Sequence, residues 1–171
     1  MHANHHYTFE QGTHIVKRLG IISDTHGILR KGVLSVFKGT DLILHAGDIG
    51  HSDVITGLRS VAKVVAVRGN MDRGNWAASY QPLEVVEIAG RTICVIHDLE
   101  TLDLEPAGGF DLVVHGHTHR PSRFVRDGVL YFNPGSAGPA RSGRPVSVGL
   151  VEIHPDSIDA TVVEIDSLPP E

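Results

Sequence analysis

The stretch FDLVVHGHTHRP, residues 110–121, places a short apolar run directly before a glycine and two histidines. The run FDLVV has the composition of a buried β-strand, because strands covered on both faces are nearly continuous in Val, Leu and Ile. His117 and His119 follow two positions apart, and residues at that spacing point the same way in extended backbone. The stretch therefore predicts a strand that presents two imidazoles beyond its carboxyl end.

Four other apolar runs of the chain, LGIIS, LILHA, VVAVR and TICVI, are also followed by polar residues. The residues after these runs are Asp24, Thr25 and His26; Gly47 and Asp48; Gly69, Asn70 and Asp72; and His97 and Asp98. In open α/β sheets, ligands bind at the carboxyl ends of the strands. Five strand ends that carry Asp, Asn or His therefore predict one shared binding site.

The first half of the chain predicts alternating strands and helices. Apolar residues recur at helical spacing in residues 27–40 and 52–61, and Ser52 is the expected N-cap of the second helix. Strands are predicted in HIVKRLGIISD, DLILHAGD and AKVVAVRGN. This alternation indicates parallel strands in a layered sheet.

The second half of the chain predicts mainly antiparallel strands. A turn is expected at Ala89-Gly90, and SRFVRDGVLYFNPG reads as a hairpin around Asp127-Gly128. The segments VSVGLVEI and IDATVVEID alternate in polarity and predict a final antiparallel pair. Two facing sheets with outer helices are the simplest architecture for this mixed α/β chain.

Length and composition favour one globular domain. The chain has 171 residues, of which 41% are hydrophobic and 20% are charged. We predict a single domain over residues 14–166. Residues 1–13 are polar and aperiodic, so we expect a disordered tail there and exclude its histidines from any site.

Charge and hydropathy exclude several classes of partner. The formal net charge is −5 and no Lys/Arg cluster stands out, so we do not expect an extended nucleic-acid surface. No apolar run is long enough for a membrane span, and no secretory leader is evident, so we expect a cytoplasmic protein without a membrane partner. Cys94 is the single cysteine and is expected to be a small buried hydrophobe.

The strand-end residues have the chemistry of a metal site. The candidate ligands are Asp24, His26, Asp48, Asn70, His97, His117 and His119. Mixed imidazole and carboxylate ligands suit Mn, Fe, Zn, Co or Ni. Seven candidates are too many for one tetrahedral zinc ion. The set therefore predicts two metal ions that share a bridging carboxylate.

The motifs DTHG, GD, GN, a strand-end His and GHTH, in this order, resemble the motif set of the calcineurin-like metallophosphoesterases. The resemblance runs from about Leu19 to Leu150, and the short length and NPGS resemble the small bacterial and archaeal phosphodiesterase branch. It implies a four-layer α/β/β/α sandwich with two facing mixed sheets. It also implies one ion held by Asp24, His26 and His119, another held by Asn70, His97 and His117, and Asp48 bridging them.

The function that this resemblance implies is a metal-dependent phosphodiesterase that hydrolyses a small phosphoester. Two divalent ions would activate a bridging water as hydroxide for attack on phosphorus. We expect Mn²⁺, with Fe, Ni, Zn and Co as alternatives. The candidate catalytic residues are Asn70 (a ligand and a donor to phosphate), Asp72 (orienting Asn70 or a water) and His51 (reaching the substrate). The candidate substrate-binding residues are Arg73, Asn133 and Ser136.

Ordinary structural roles are the alternatives to several of these assignments. His51 has the position of a surface-loop residue, Arg73 that of a solvated side chain, and Asn133 and Ser136 those of a tight turn. Two further functions stay open, namely a phosphomonoesterase acting on a nucleotide or sugar phosphate and a non-catalytic scaffold of the same fold. The oligomeric state is also left open.

Two departures from the family pattern concern the site itself. Many relatives follow the strand-end histidine with Gly-His, whereas here His97 is followed by Asp98. Larger phosphatases have a histidine directly after Gly-Asn, whereas here Asn70 is followed by Met71. Protonation of the leaving group is therefore left unassigned.

Overall fold

The computed structural model describes residues 6–8, 16–103, 107–140 and 143–165. The strands are β1 His6–Thr8, β2 Lys17–Ile22, β3 Leu42–His45, β4 Lys63–Ala66, β5 Leu83–Ile88, β6 Arg91–Ile96, β7 Leu112–Val114, β8 Ser122–Arg126, β9 Val129–Asn133, β10 Val146–Ile153 and β11 Ile158–Ile165. The helices are α1 Lys31–Val36 and α2 Ser52–Arg59, with 3₁₀ turns at Ala77–Ser79 and Leu99–Thr101.

The strands form two mixed sheets. The five-stranded sheet has the order β11-β10-β2-β3-β4, and the six-stranded sheet has the order β1-β5-β6-β7-β9-β8. As the first half of the sequence predicts, β2, β3 and β4 are parallel neighbours. The predicted antiparallel pairs β5-β6, β8-β9 and β10-β11 are also present. The prediction of a mixed α/β chain with two mixed sheets is confirmed.

The main core lies between the two sheets. Leu19 and Leu44 of the five-stranded sheet belong to the same buried cluster as Val95, Val114 and Phe132 of the six-stranded sheet. All five side chains are fully buried. Burial of apolar surface stabilises a fold by about 25 cal/mol per Å², so this layer holds the two sheets face to face.

Both α-helices pack on the outer side of the five-stranded sheet. Val33 of α1 and Leu58 of α2 join a second buried cluster with Ile22 and Ile43 of that sheet. On the outer side of the six-stranded sheet, the described residues contribute only the 3₁₀ turn and its flanks, with Leu99, Leu102 and Phe110 packed on the cluster around Cys94. The expected fourth layer is therefore reduced to this segment.

The helix termini differ from the sequence-based expectation. Helix α1 covers 31–36 rather than 27–40, and the N-cap of α2 is His51 rather than Ser52. The Nδ1 atom of His51 accepts the backbone N–H of Asp53 at 3.3 Å. A ring nitrogen therefore takes the place of the serine hydroxyl that was predicted.

Residues His6–Thr8 correct the expectation of a disordered tail over residues 1–13. They form β1, which pairs in parallel with β5 from His6↔Val85 to Thr8↔Glu87. The rest of the expected tail lies outside the described residues. Among the described residues, no helix is long and apolar enough to cross a membrane.

We predict that the Cys94 thiol is unreactive in the native protein. Cys94 is fully buried on β6, and burial raises its pKa to about 12, so the reactive thiolate is scarce at neutral pH. An aromatic disulfide reagent should label no thiol in buffer and one per chain in guanidinium. The variant Val125→Cys, at a position 67% exposed, should add one fast-reacting thiol. Fast labelling of Cys94 in buffer would contradict the packing described here.

Candidate metal centre

The carboxyl ends of five strands meet at one edge of the two facing sheets. In the five-stranded sheet, β2 is followed by Asp24 and His26, β3 by Asp48, and β4 by Asn70. In the six-stranded sheet, β6 is followed by His97, and β7 by His117 and His119. The side chains from the two sheets face each other, since Oδ1 of Asp24 lies 3.1 Å from Nε2 of His119. The sequence-based prediction of a shared site at the strand ends therefore agrees with the geometry.

The first ligand group consists of Asp24, His26 and His119, whose nearest nitrogen and oxygen atoms all lie within 4.8 Å of one another. Oδ1 of Asp24 is 3.1 Å from Nε2 of His119, and Nε2 of His26 is 3.4 Å from the same nitrogen. The buried Oδ1 of Asp24 accepts no hydrogen bond from any residue that the structure describes. An imidazole nitrogen and a carboxylate oxygen that face each other in this way fit two ligands of one cation.

The second ligand group consists of Asn70, His97 and His117. Oδ1 of Asn70 lies 3.1 Å from Nε2 of His97 and 3.2 Å from Nδ1 of His117. Nδ1 of His97 lies 2.7 Å from the carbonyl oxygen of Ala46, a distance at which it donates its proton. That hydrogen bond leaves the lone pair of His97 on Nε2, the nitrogen that faces Asn70.

Asp48 lies between the two groups. Its Oδ2 is 3.4 Å from Nε2 of His97, and Asp24, Asp48 and His97 form a cluster of ligand atoms within 4.8 Å. Burial alone would raise the pKa of Asp48, but the closeness of His97 and the hydrogen bond from the backbone N–H of Met71 outweigh it, so the pKa is lowered. Asp48 is therefore held as a carboxylate at the position expected of a shared ligand.

Five of the seven candidate ligands have left-handed backbone. The φ angles are 55° at Asp24, 47° at His26, 51° at Asp48, 67° at His117 and 55° at His119. Among non-glycine residues, Asp and His adopt this region more readily than most, but it still costs about 1–3 kcal/mol per residue. Such strain collects at functional sites, where the surrounding structure must maintain it.

Two glycines allow the loops of the site to approach each other. A Cβ atom on Gly69 would lie 2.1 Å from Oδ1 of Asp48, and one on Gly116 would lie 1.8 Å from Oγ of Ser23. Any other residue at these positions would push the neighbouring loop away. Both glycines directly precede a candidate ligand. A side chain at either position would collide with the neighbouring loop, so glycine is required there for steric reasons.

The family model for a calcineurin-like phosphoesterase superfamily domain matches residues 18–156 of this chain. The chain belongs to the calcineurin-like phosphoesterase superfamily. A probable metallophosphoesterase of Methanothermobacter thermautotrophicus is 33% identical over 162 residues, which cover 85% of this chain and 91% of that protein. The family resemblance that the motif order indicates is therefore confirmed.

Two further relatives of this calcineurin-like phosphoesterase carry the name phosphodiesterase. Phosphodiesterase YfcE of Escherichia coli is 28% identical over 160 residues, covering 79% of this chain and 87% of that protein. The solved structure of an archaeal phosphodiesterase has a TM-score of 0.73 and 25% identity, covering 85% of this chain and 99% of that chain. These likenesses support a hydrolase with the metallophosphoesterase fold.

His45 lies behind the site of this phosphoesterase and joins two ligand loops. Oγ1 of Thr25 donates to the carbonyl of Ile49 at 2.8 Å, so it accepts the Nε2–H of His45 at 2.9 Å. Nδ1 of His45 then accepts the N–H of Gly47 at 3.2 Å. Burial lowers the pKa of His45 to about 3, so the ring stays neutral while it connects the two loops.

Ser23 is a site residue that sequence reasoning missed. Its hydroxyl donates to Oδ2 of Asp24 at 2.6 Å, and Asp24 also accepts the backbone N–H of His117 at 3.2 Å. Burial raises the pKa of Asp24, and the hydrogen bond from Ser23 opposes that rise. The signal in the sequence was a serine directly before the first ligand, but only the fold shows which carboxylate oxygen it contacts.

Asp72 contacts the backbone of the loops around the site, and the role predicted for it, orienting Asn70 or a water, stays a prediction. Its carboxylate is buried and accepts three backbone N–H groups. The donors are Ile49 at 3.1 Å, Gly50 at 2.8 Å and Gly69 at 2.8 Å. These residues flank Asp48 and Asn70, so Asp72 ties together the loops that carry two ligands. All three of these hydrogen bonds come from the backbone, and none comes from the side chain of Asn70.

The other two candidates near these loops lie outside the ligand groups. His51 caps α2, and its side chain is exposed, with Nδ1 3.3 Å from Oδ2 of Asp53. Arg73 is exposed and makes no hydrogen bond or ion pair among the described residues. The roles predicted for both, in catalysis and in substrate binding, therefore receive no support from a contact with the ligands.

Asn133 does not have the exposure that its predicted role in substrate binding requires. It is fully buried, and its Nδ2 donates to the carbonyl of Gly116 at 2.7 Å and to Oγ1 of Thr118 at 3.2 Å. It therefore shapes the loop that carries His117 and His119. Ser136 is nearly buried and donates to the carbonyl of Asp24 at 3.1 Å, and it lines a small pocket beside His119.

We predict that Asp72→Asn destabilises the protein. An amide cannot accept on both sides, so at least one of the three N–H groups loses its partner, which should lower the free energy of unfolding by about 1–3 kcal/mol. Urea unfolding measures this change. The matched control is Asp127→Asn, an exposed turn residue at φ 51°, where Asn is equally suitable. Equal stability of the two variants would contradict the structural role of Asp72.

Proposed function

We propose that this chain is a metal-dependent phosphodiesterase that hydrolyses a small phosphoester at the candidate metal centre. The observation that carries the proposal is the pair of ligand groups, one from Asp24, His26 and His119 and one from Asn70, His97 and His117, which lie side by side with Asp48 between them. The alignment with relatives named phosphodiesterases supports the reaction class. Mn²⁺ is the proposed metal, because mixed nitrogen and oxygen ligands suit it.

Asp48 and Asn70 have different roles in this proposal. When bound, two divalent cations would supply an activated water and neutralise charge on the phosphate oxygens. Asp48 would be the shared ligand, since it faces both groups. Oδ1 of Asn70 faces the two histidines, which leaves Nδ2 of this exposed side chain as the donor to a phosphate oxygen. Electrostatic stabilisation by such fixed groups is usually the largest catalytic contribution.

The neighbouring loops keep this arrangement ready before substrate binds. Asp72 and His45 hold the loops of Asp48 and Asp24 through buried hydrogen bonds, and Asn133 holds the GHTH loop. Ligands positioned by rigid supporting groups lose less entropy when a cation binds. The proposal therefore assigns Asp72 and Asn133 to positioning and Asn70 to contact with substrate.

We predict that Asp48→Asn abolishes most of the activity. The change keeps the shape of the side chain but removes the charge that two cations would share, so both metal content and turnover of an activated phosphodiester should fall, turnover by about 100-fold or more. Elemental analysis and a bis(p-nitrophenyl) phosphate assay measure the two effects. Asp127→Asn, the matched control, should behave as the unaltered protein does. Retention of both metal and activity in Asp48→Asn would refute the proposal.

We also predict a chelation and reconstitution pattern. Removal of divalent cations should eliminate hydrolysis, and Mn²⁺ should restore it, with a larger rate on bis(p-nitrophenyl) phosphate than on p-nitrophenyl phosphate. A larger rate on the monoester would favour the phosphomonoesterase alternative. Inactivity on both substrates with Mn, Fe, Co, Ni and Zn would favour the non-catalytic scaffold.

A further inference from the structure

Asp98 is an acidic residue at the centre that has no place in the ligand groups. It directly follows His97, and its Oδ2 lies 3.9 Å from Nε2 of His117. The distance is within the range of an ion pair but too long for a hydrogen bond. The His117 side chain is 43% exposed, so the ring is not enclosed and has room to move toward the carboxylate.

The two nitrogens of His117 face different groups. Nδ1 points to Oδ1 of Asn70 at 3.2 Å, toward the second ligand group, whereas Nε2 points to Asp98. A neutral imidazole carries its proton on one nitrogen and its lone pair on the other. A carboxylate on the Nε2 side therefore favours the proton there and leaves the lone pair of Nδ1 toward Asn70 and His97.

The carboxylate of Asp98 is anchored independently of His117. Its Oδ1 accepts the backbone N–H of Glu100 at 3.0 Å and caps the 3₁₀ turn Leu99–Thr101. Its main-chain carbonyl accepts the hydroxyl of Thr101 at 2.7 Å. With Oδ1 used by the cap, Oδ2 is the oxygen presented to the histidine.

The tautomer of His97 is also set by a neighbouring acceptor, in this case one that faces Nδ1 instead of Nε2. Its Nδ1 lies 2.7 Å from the carbonyl of Ala46, and its Nε2 faces Asn70. A backbone oxygen thus sets the tautomer of one histidine in this group, and a carboxylate is available to set that of the other. Partners of this kind orient the rings that bind metal ions.

We infer that Asp98 is a positioning residue for His117: its Oδ2 accepts the Nε2–H and directs Nδ1 at the cation of the second ligand group. The inference rests on the proposed two-ion centre. It also links the 3₁₀ turn Leu99–Thr101 to metal affinity, because the same carboxylate caps that turn. Relatives in which glycine follows the strand-end histidine have no side-chain acceptor at the position of Asp98.

The test compares Asp98→Asn with the unaltered protein. Asn still caps the 3₁₀ turn with its single amide oxygen, so it turns an NH₂ donor instead of an acceptor toward His117. Calorimetric titration of the metal-free protein with Mn²⁺ should show two sites in the unaltered chain. In Asp98→Asn one site should bind about 10-fold or more weakly, with the other unchanged. In the Zn²⁺-loaded unaltered protein, ¹⁵N NMR should show His117 protonated at Nε2, and the variant should lose or weaken that signature.

The matched control is Glu100→Gln, which removes an exposed charge from the same loop without touching His117. It should bind both ions as the unaltered protein does. Two ions bound with unchanged affinity in Asp98→Asn, and an unchanged His117 tautomer, would overturn the role of Asp98 and leave the proposed function standing. Fewer than two ions bound by the unaltered protein would overturn both.

Discussion

The backbone of Gly116 lies against Ser23 and Asp24, and the rest of the site depends on this contact. Gly116 follows β7 of the six-stranded sheet, whereas Ser23 and Asp24 follow β2 of the five-stranded sheet. A methyl group on Gly116 would lie 1.8 Å from the hydroxyl of Ser23 and 2.8 Å from a carboxylate oxygen of Asp24. Because no side chain separates the two sheets here, His119 reaches Asp24 and the two ligand loops share one site.

Strained backbone and dense hydrogen bonding accompany that contact. Asp24 and His26 have left-handed backbone, and their N–H groups donate to the carbonyls of Gly47 and Asp48 at 3.0 and 2.9 Å. Gly138 donates to the carbonyl of Asp24 at 3.0 Å. Each bond contributes about 0.5–1.5 kcal/mol, which is comparable to the strain at one residue. The loops are thus held in a conformation that directs ligands inward.

Buried polar residues behind the ligands stabilise this arrangement. His45 and Asp72 each make hydrogen bonds to two of the ligand loops, and Asn133 makes two hydrogen bonds to the loop that carries His117 and His119. A polar group buried without partners would cost about 1–3 kcal/mol, so these side chains and the loops require each other. In the role that we infer for it, Asp98 extends the principle to the exposed side of the centre, where it would connect the candidate ligand His117 to the neighbouring 3₁₀ turn.

The sequence by itself determined where strands occur along the chain and which residues follow them. Apolar periodicity is a local property, and Asp, Asn and His stand out chemically from the apolar run that precedes them. The motif order was also enough to indicate the family. Only the tertiary structure decided that Asp72 and Asn133 support loops, that His51 caps a helix and that His6–Thr8 joins a sheet. These roles depend on which atoms from distant segments come within hydrogen-bonding distance, and local sequence carries no record of that distance.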